Sequence, residues 1–345
     1  MVIERIKFVF SMLIFSTLIS ACGSSNSNTT AQNARAILLA SEVPAYIAAY
    51  EEDLQRRTFL FNGQGLDAAF FQVDTENQQL VMSFNQGLIF LSIDLASRDL
   101  TGDIRVHLGN IESDVDEVIN QPLARLESDS INFQKRGNDF VFSGRLEDSV
   151  TNASYSIYFV YNSSYITEGD ANIEIITDSV AVIAGGLGIS TYIKVKDLVT
   201  NNPGVRTLVL QDIPGSSDDR INVHTGRLIR QAGIATYVPS FGEIASGGVD
   251  IFLAGATRHY EQGGMVGVHS WCCINGKSAH LAPRNAPEHE SLISYTKEML
   301  GEEAGEAFYF FTLEASSFED IHFMTNDQLL EHIVDNILPP NQPIN

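Results

Sequence analysis

Hydrophobic positions along the chain change rhythm twice. Over residues 35–56 they recur at helical spacing: Ile37, Leu38 and Leu39, then Tyr46, Ile47 and Tyr50, interrupted at Pro44. From about Thr58 to Ile176 the period falls to two. Ile104, Val106 and Leu108 alternate with Arg105 and His107. Ile131 and Phe133 lead into Arg136-Gly137-Asn138, with Phe140 and Phe142 beyond, which predicts a hairpin. Residues 59–61, 88–95 and 156–161 add further strand-like runs. Short strands separated by turn signals predict a β-sandwich or an open barrel. This region carries no clustered chemistry, so a binding or spacer role is the default.

After about Ile183 the rhythm changes again. A turn rich in glycine (Gly185, Gly186, Gly188) leads into a helical stretch over 190–200, broken by Pro203-Gly204. Thr207–Leu210 is a short apolar strand, 218–231 is helical with Gly233 as its C-cap, and Ala235–Val238 is the next strand. Helices follow at 286–300 and 304–315, and a last one is opened by Thr325, whose spacing to Gln328 fits a capping box. Helix alternating with strand predicts an α/β layered domain over 177–345, after a β-rich domain over 35–176. The fold class is therefore α+β overall.

The first 21 residues belong to targeting rather than fold. Arg5 and Lys7 precede a mostly apolar stretch over 6–19, and the small residues Ser20 and Ala21 precede Cys22. Leu18-Ile19-Ser20-Ala21-Cys22 resembles the lipobox of bacterial lipoproteins, which implies that Cys22 is acylated and anchors the chain to an envelope membrane. Residues 22–34, small and polar, predict a flexible tether. Of 345 residues 44% are apolar, enough to build two cores, and the net charge of −22 argues against a nucleic-acid partner. With Cys22 lipidated, only Cys272 and Cys273 remain, which excludes a disulfide framework.

Three segments carry candidate chemistry: DIPGSSDD (212–219), IASGGVDIFLAG (244–255) and GMVGVHSW (264–271). Acyl transfer needs an activated hydroxyl, a base and donors for an oxyanion. Ser246 precedes two glycines and an apolar run, so it would sit at a helix N-terminus, where free N–H groups favour negative charge. His269 ends the predicted strand Met265–Val268 and could meet Ser246 in space. His269, Cys272, Cys273 and His280 could also be considered for zinc, but adjacent cysteines suit a single metal poorly, and no metal or cofactor is expected.

The order strand, Pro-Gly, helix, strand, Ala-Ser-x-Gly, helix, strand, His over about 180–340 resembles the proteolytic subunit of Clp protease, in the crotonase-like superfamily. The resemblance implies Ser246 as nucleophile, His269 as general base, and the N–H groups of Ser216 and Gly247 as the oxyanion hole. Ser216 departs from the family, which has a second glycine there. The implied acid is Asp320 in EDIHFMT (319–325), with Glu319 as the alternative. The function expected is a membrane-anchored serine hydrolase, a peptidase independent of ATP, acting on a peptide or acyl substrate. An esterase, or a non-catalytic binding or assembly lipoprotein keeping the fold, stays open beside it. Assembly of copies is implied if the domain associates as Clp subunits do.

Overall fold

The computed structural model describes residues 37–94, 99–112, 115–128, 130–274 and 277–340, with the side chains of 272–274 and 277 left aside. The leader, Cys22, the tether and the thiols of Cys272 and Cys273 lie outside what is described. Among the described residues no helix is long and apolar enough to cross a membrane.

The period-two region forms one continuous antiparallel sheet. Its spatial order is Gln64–Gly65, Thr58–Phe61, Ser154–Tyr161, Asp139–Asp148, Ala124–Glu127, Leu100–Leu108, Gly87–Ile93, Gln79–Phe84 and Ala68–Asp74. Asn132–Arg136 pairs separately with Asp139–Asp148. The expected hairpin is present: Arg136 faces Asp139 across a two-residue turn, Gly137-Asn138, with Gly137 at φ 62°. The sheet curls on itself. Phe59, near one edge, meets Phe84, next to the other, with ring centroids 5.2 Å apart. Phe142 and Phe159 fill the inside, and Tyr165 and Ile166 of the short helix Ser164–Thr167 join the same core. A single curled sheet with one inner face is an open barrel, which decides between the two expected architectures.

The remainder is built from a repeating unit of two strands and a helix. Thr207–Leu210 and Asp212–Ile213 are followed by helix Asp219–Gln231; Ala235–Val238 and Glu243–Ala245 by helix Gly247–Leu253; then come Arg258–Tyr260 and Met265–Val268. The first strand of each unit joins a five-stranded sheet ordered Asn172–Thr177, Val180–Ala184, Thr207–Leu210, Ala235–Val238, Arg258–Tyr260. The second joins a four-stranded sheet ordered Asp212–Ile213, Glu243–Ala245, Met265–Val268, His322–Phe323. Each turn of the chain thus adds one strand to each sheet. Leu208, Leu210, Ile213, Val238, Ile244, Phe252, Val266 and Val268 share one core, each contributing on the order of 1.5–3 kcal/mol by burial. Thr325 and Gln328 form the expected capping box of helix Asn326–His332, and Asp218, read as the first residue of its helix, instead caps helix Asp219–Gln231 by accepting the Arg220 N–H. The helix expected from 286 begins at Glu290, because Pro287 sits in a 3-10 turn before it.

Two elements sit elsewhere than the expected division at 177. Asn172–Thr177 pairs antiparallel with Val180–Ala184 and so belongs to the α/β unit. Helix Val43–Arg56 also lies on that unit: Val43 and Tyr50 are buried with Ile189 and Ile221, from helices Ile189–Asn201 and Asp219–Gln231. Hydrophobic spacing reveals that a face is buried, not which core it fills. The barrel is therefore an insertion between the first helix and the rest of the α/β unit.

Candidate active site

The four-stranded sheet gathers the sequence candidates at one edge. Its first three strands are parallel, with Ile213 opposite Ile244 and Ala245 opposite Gly267. Carrying that register forward sets Ser216 beside Gly247 and brings Ser246 and His269 off the same ends of adjacent strands, which lie about 4.8 Å apart. Ser246 holds φ 52° and ψ −124° between strand Glu243–Ala245 and helix Gly247–Leu253, and its N–H donates to Gly267 O at 3.0 Å. A residue with a Cβ rarely adopts that backbone, which costs roughly 1–3 kcal/mol and recurs at functional sites. A sharp turn from strand to helix presents a hydroxyl at the edge of a sheet.

The two predicted oxyanion donors are neighbours. Leu187 N–H donates to Gly215 O and Ser217 N–H to Leu187 O, each at 2.8 Å. Ser216, between them, therefore turns its own N–H to the opposite side, where it makes no hydrogen bond among the described residues. That side faces Gly247: a Cβ added there would stand 3.0 Å from Ser216 N and 2.5 Å from Ser216 Cβ. Gly247 opens its helix, so its N–H has no acceptor within the helix. The departure at Ser216 costs no strain, because Gly215 takes the positive φ of 153° and Ser216 does not.

His269 is 9% exposed, and its Nδ1 has no hydrogen-bond partner among the described residues. Burial lowers its pKa below the ordinary histidine value, with the Ser270 and Phe318 carbonyls acting weakly the other way. The imidazole is thus neutral at pH 7, the form a general base requires. No hydrogen bond joins it to Ser246 in this structure. Asp320, the acid that the resemblance implies, makes no hydrogen bond to His269 in this structure. It is exposed, and its Oδ1 accepts the N–H of Ile321 at 2.8 Å rather than a proton of His269. Strand His322–Phe323 pairs antiparallel with Met265–Val268, with His322 opposite Val268. This register sets Ile321 against His269 and carries Asp320 past it. Glu319 is exposed as well. The nearby polar group acting on the imidazole from this segment is the Phe318 carbonyl.

Two residues around the site were not singled out from sequence. Asn222, 1% exposed, donates through Nδ2 to Gly247 O at 2.9 Å and to Asp250 Oδ2 at 3.4 Å, holding the peptide between Gly247 and Gly248. Asp250 lies one helical turn beyond Ser246. Burial, reinforced by Asp219 and opposed by the Asn222 amide, pushes its pKa up to about 8. A largely neutral Asp250 leaves the positive helix start uncompensated. The spacing of four from Ser246 was a usable signal for Asp250; Asn222 had none. Among the described residues no three His, Cys, Asp or Glu side chains are grouped to hold a metal ion. The arrangement sets a serine with a strained backbone beside the Ser216 and Gly247 segments, with a neutral imidazole at the end of the adjacent strand.

No protein-family model matches the chain, and no curated protein matches it. Solved structures similar to it include an enoyl-CoA hydratase from Bacillus anthracis, 11% identical over 49% of this chain and 70% of that one, with a TM-score of 0.33. An enoyl-CoA hydratase/isomerase from Legionella pneumophila is 14% identical over 50% of this chain and 70% of its own, with a TM-score of 0.32. A membrane-bound stomatin-specific protease is 19% identical over 46% of this chain and 78% of its own, with a TM-score of 0.35.

Proposed function

We propose that this protein is a serine hydrolase of the bacterial envelope, a peptidase that works without ATP and is anchored through acylated Cys22. The backbone of Ser246 carries the reading: a serine at φ 52° on a strand-to-helix turn, with the Ser216 and Gly247 N–H groups beside it. Strands alternating between two sheets, one helix per turn, also suit the resemblance to the Clp proteolytic subunit. Ser246 Oγ attacks the substrate carbonyl while His269 takes the hydroxyl proton, and the two N–H groups receive the oxyanion. His269 then gives its proton to the leaving amine, and water, deprotonated by the same imidazole, releases the acyl group.

A fluorophosphonate probe tests this. It should label the wild type and not Ser246→Ala; a folded wild type that resists labelling would refute the hydrolase. Peptide and ester panels separate peptidase from esterase. Incorporation of labelled palmitate, lost in Cys22→Ser, tests the anchor. The bare Nδ1 of His269 and the position of Asp320 favour one second reading, a non-catalytic binding lipoprotein on the same scaffold.

A further inference from the structure

Helix Val43–Arg56 reaches the oxyanion turn through one phenol. The Tyr46 hydroxyl donates to Asp218 Oδ2 and accepts from Arg220 Nη2. Arg220 Nε closes the set by donating to Asp218 Oδ1 at 2.9 Å, and its guanidinium stands 4.9 Å from the centroid of the Tyr46 ring. Burial and the Asp218 charge keep the phenol protonated and able to donate. Asp218 is only 1% exposed, so its carboxylate depends on these donors. Its own N–H donates to Ser216 Oγ at 3.1 Å, two residues before it. An unbroken line of hydrogen bonds therefore runs from the first helix to the residue whose N–H faces Gly247. Two more bonds hold the approach to that helix: Leu38 N–H to Arg220 O at 3.3 Å, and His224 Nε2 to Leu38 O at 2.8 Å.

We propose that Tyr46 is a positioning residue of the oxyanion hole: the docked first helix holds Asp218, and through it the Ser216 turn, in the geometry that acyl transfer requires. The inference rests on the hydrolase reading. The far end of the same helix is bonded to the barrel. Arg56 Nε donates to Asp139 at 2.8 Å, and Asn162 Nδ2 donates to Asp53 O at 3.0 Å. A displacement of the barrel would thus be delivered to the Ser216 turn.

The test is Tyr46→Phe, which keeps the ring and removes the hydroxyl. Losing an oxyanion donor outright slows such reactions about 100- to 1000-fold, so loosening one should lower the maximal rate of fluorophosphonate inactivation roughly tenfold or more. The reagent's dissociation constant should stay the same, and amide hydrogen exchange over 215–218 should quicken. Tyr50→Phe is the control. It removes the other buried phenol of the same helix, whose nearby carboxylate is Glu168 and not Asp218, and should leave rate and exchange unchanged. Arg220→Lys perturbs the phenol by a second route if Tyr46→Phe fails to fold. Labelling and exchange of Tyr46→Phe at wild-type rates would overturn the proposal. A wild type that is never labelled would instead sink the hydrolase, and the exchange arm alone would then decide whether the helix holds the turn.

Discussion

Replacing Gly247 by alanine should nearly silence the site while leaving the protein folded. An added Cβ would lie 2.5 Å from Ser216 Cβ and 3.0 Å from Ser216 N, both on the segment that supplies the other oxyanion donor. Carbon atoms in contact settle at roughly 3.5–4.0 Å, so the turn and the helix start must part by about 1 Å. Crowding of this kind costs about 1–3 kcal/mol. Alanine in place of a helical glycine returns up to about 1 kcal/mol. The net loss of about 3 kcal/mol or less lowers the melting temperature by several degrees and is survivable. The rate responds more steeply, because a misplacement of about 1 Å in catalytic geometry is worth about 100-fold. That factor corresponds to roughly 2.7 kcal/mol of barrier. Calorimetry and the second-order rate of fluorophosphonate labelling measure the two effects on one preparation. A folded Gly247→Ala protein that labels within threefold of wild type would refute the convergence of the Ser216 and Gly247 donors on the reacting carbonyl.

Three further outcomes are expected. Ser246→Gly relieves the strain of φ 52° and should melt higher than Ser246→Ala by the equivalent of about 1 kcal/mol; a lower melting point for the glycine variant would remove the strain. Asp320→Asn should change the labelling rate less than threefold, because this carboxylate is exposed and bonded to the Ile321 N–H; a loss near the 10⁴-fold seen for a triad acid would restore Asp320 to the site. Burial holds the pKa of His269 below the ordinary value of about 6.5, so a labelling profile should be flat above that pH and fall below it; a midpoint above 7 would contradict a buried neutral base. Stability moves the same way. The unfolded imidazole binds its proton at higher pH than the folded one, so the contribution is present above about 6.5 and is lost as pH falls through the folded value, a direction shared by His107, His224 and His289.

Features set by neighbours in sequence were legible. The hairpin at Gly137-Asn138, the turn at Gly233 and the capping box at Thr325 each depend on a few consecutive residues, and each stands where expected. Ser246 and His269 emerge from adjacent strands, each placed by the short apolar run before it. Features set by distant partners were not legible. Val43 and Tyr50 carry the same amphipathic signal whether they cover the barrel or the helices of the α/β unit. A run of short strands does not reveal whether they divide into two sheets or bend as one; the contact of Phe59 with Phe84 does. Asp320 stands apart from His269 for a local geometric reason. Register places Ile321 opposite His269, and a step of one residue along the chain points a carboxylate to the other side. Asn222 was hidden because a polar residue within a helical pattern signals an outward face, whereas this one is turned inward on the Gly247 carbonyl.

The barrel leaves and re-enters the α/β unit at almost the same point. Arg57, just before its first strand, donates through Nε to Ser164 Oγ at 2.7 Å, just after its last. Excising 58–162 would therefore leave two chain ends that a linker of a few residues can join, and the shortened protein would keep both sheets that frame Ser246. During synthesis the same arrangement imposes a wait. The first helix leaves the ribosome more than a hundred residues ahead of the helices Ile189–Asn201 and Asp219–Gln231 that receive it, so its apolar face stays without its final cover until the whole inserted barrel has been made.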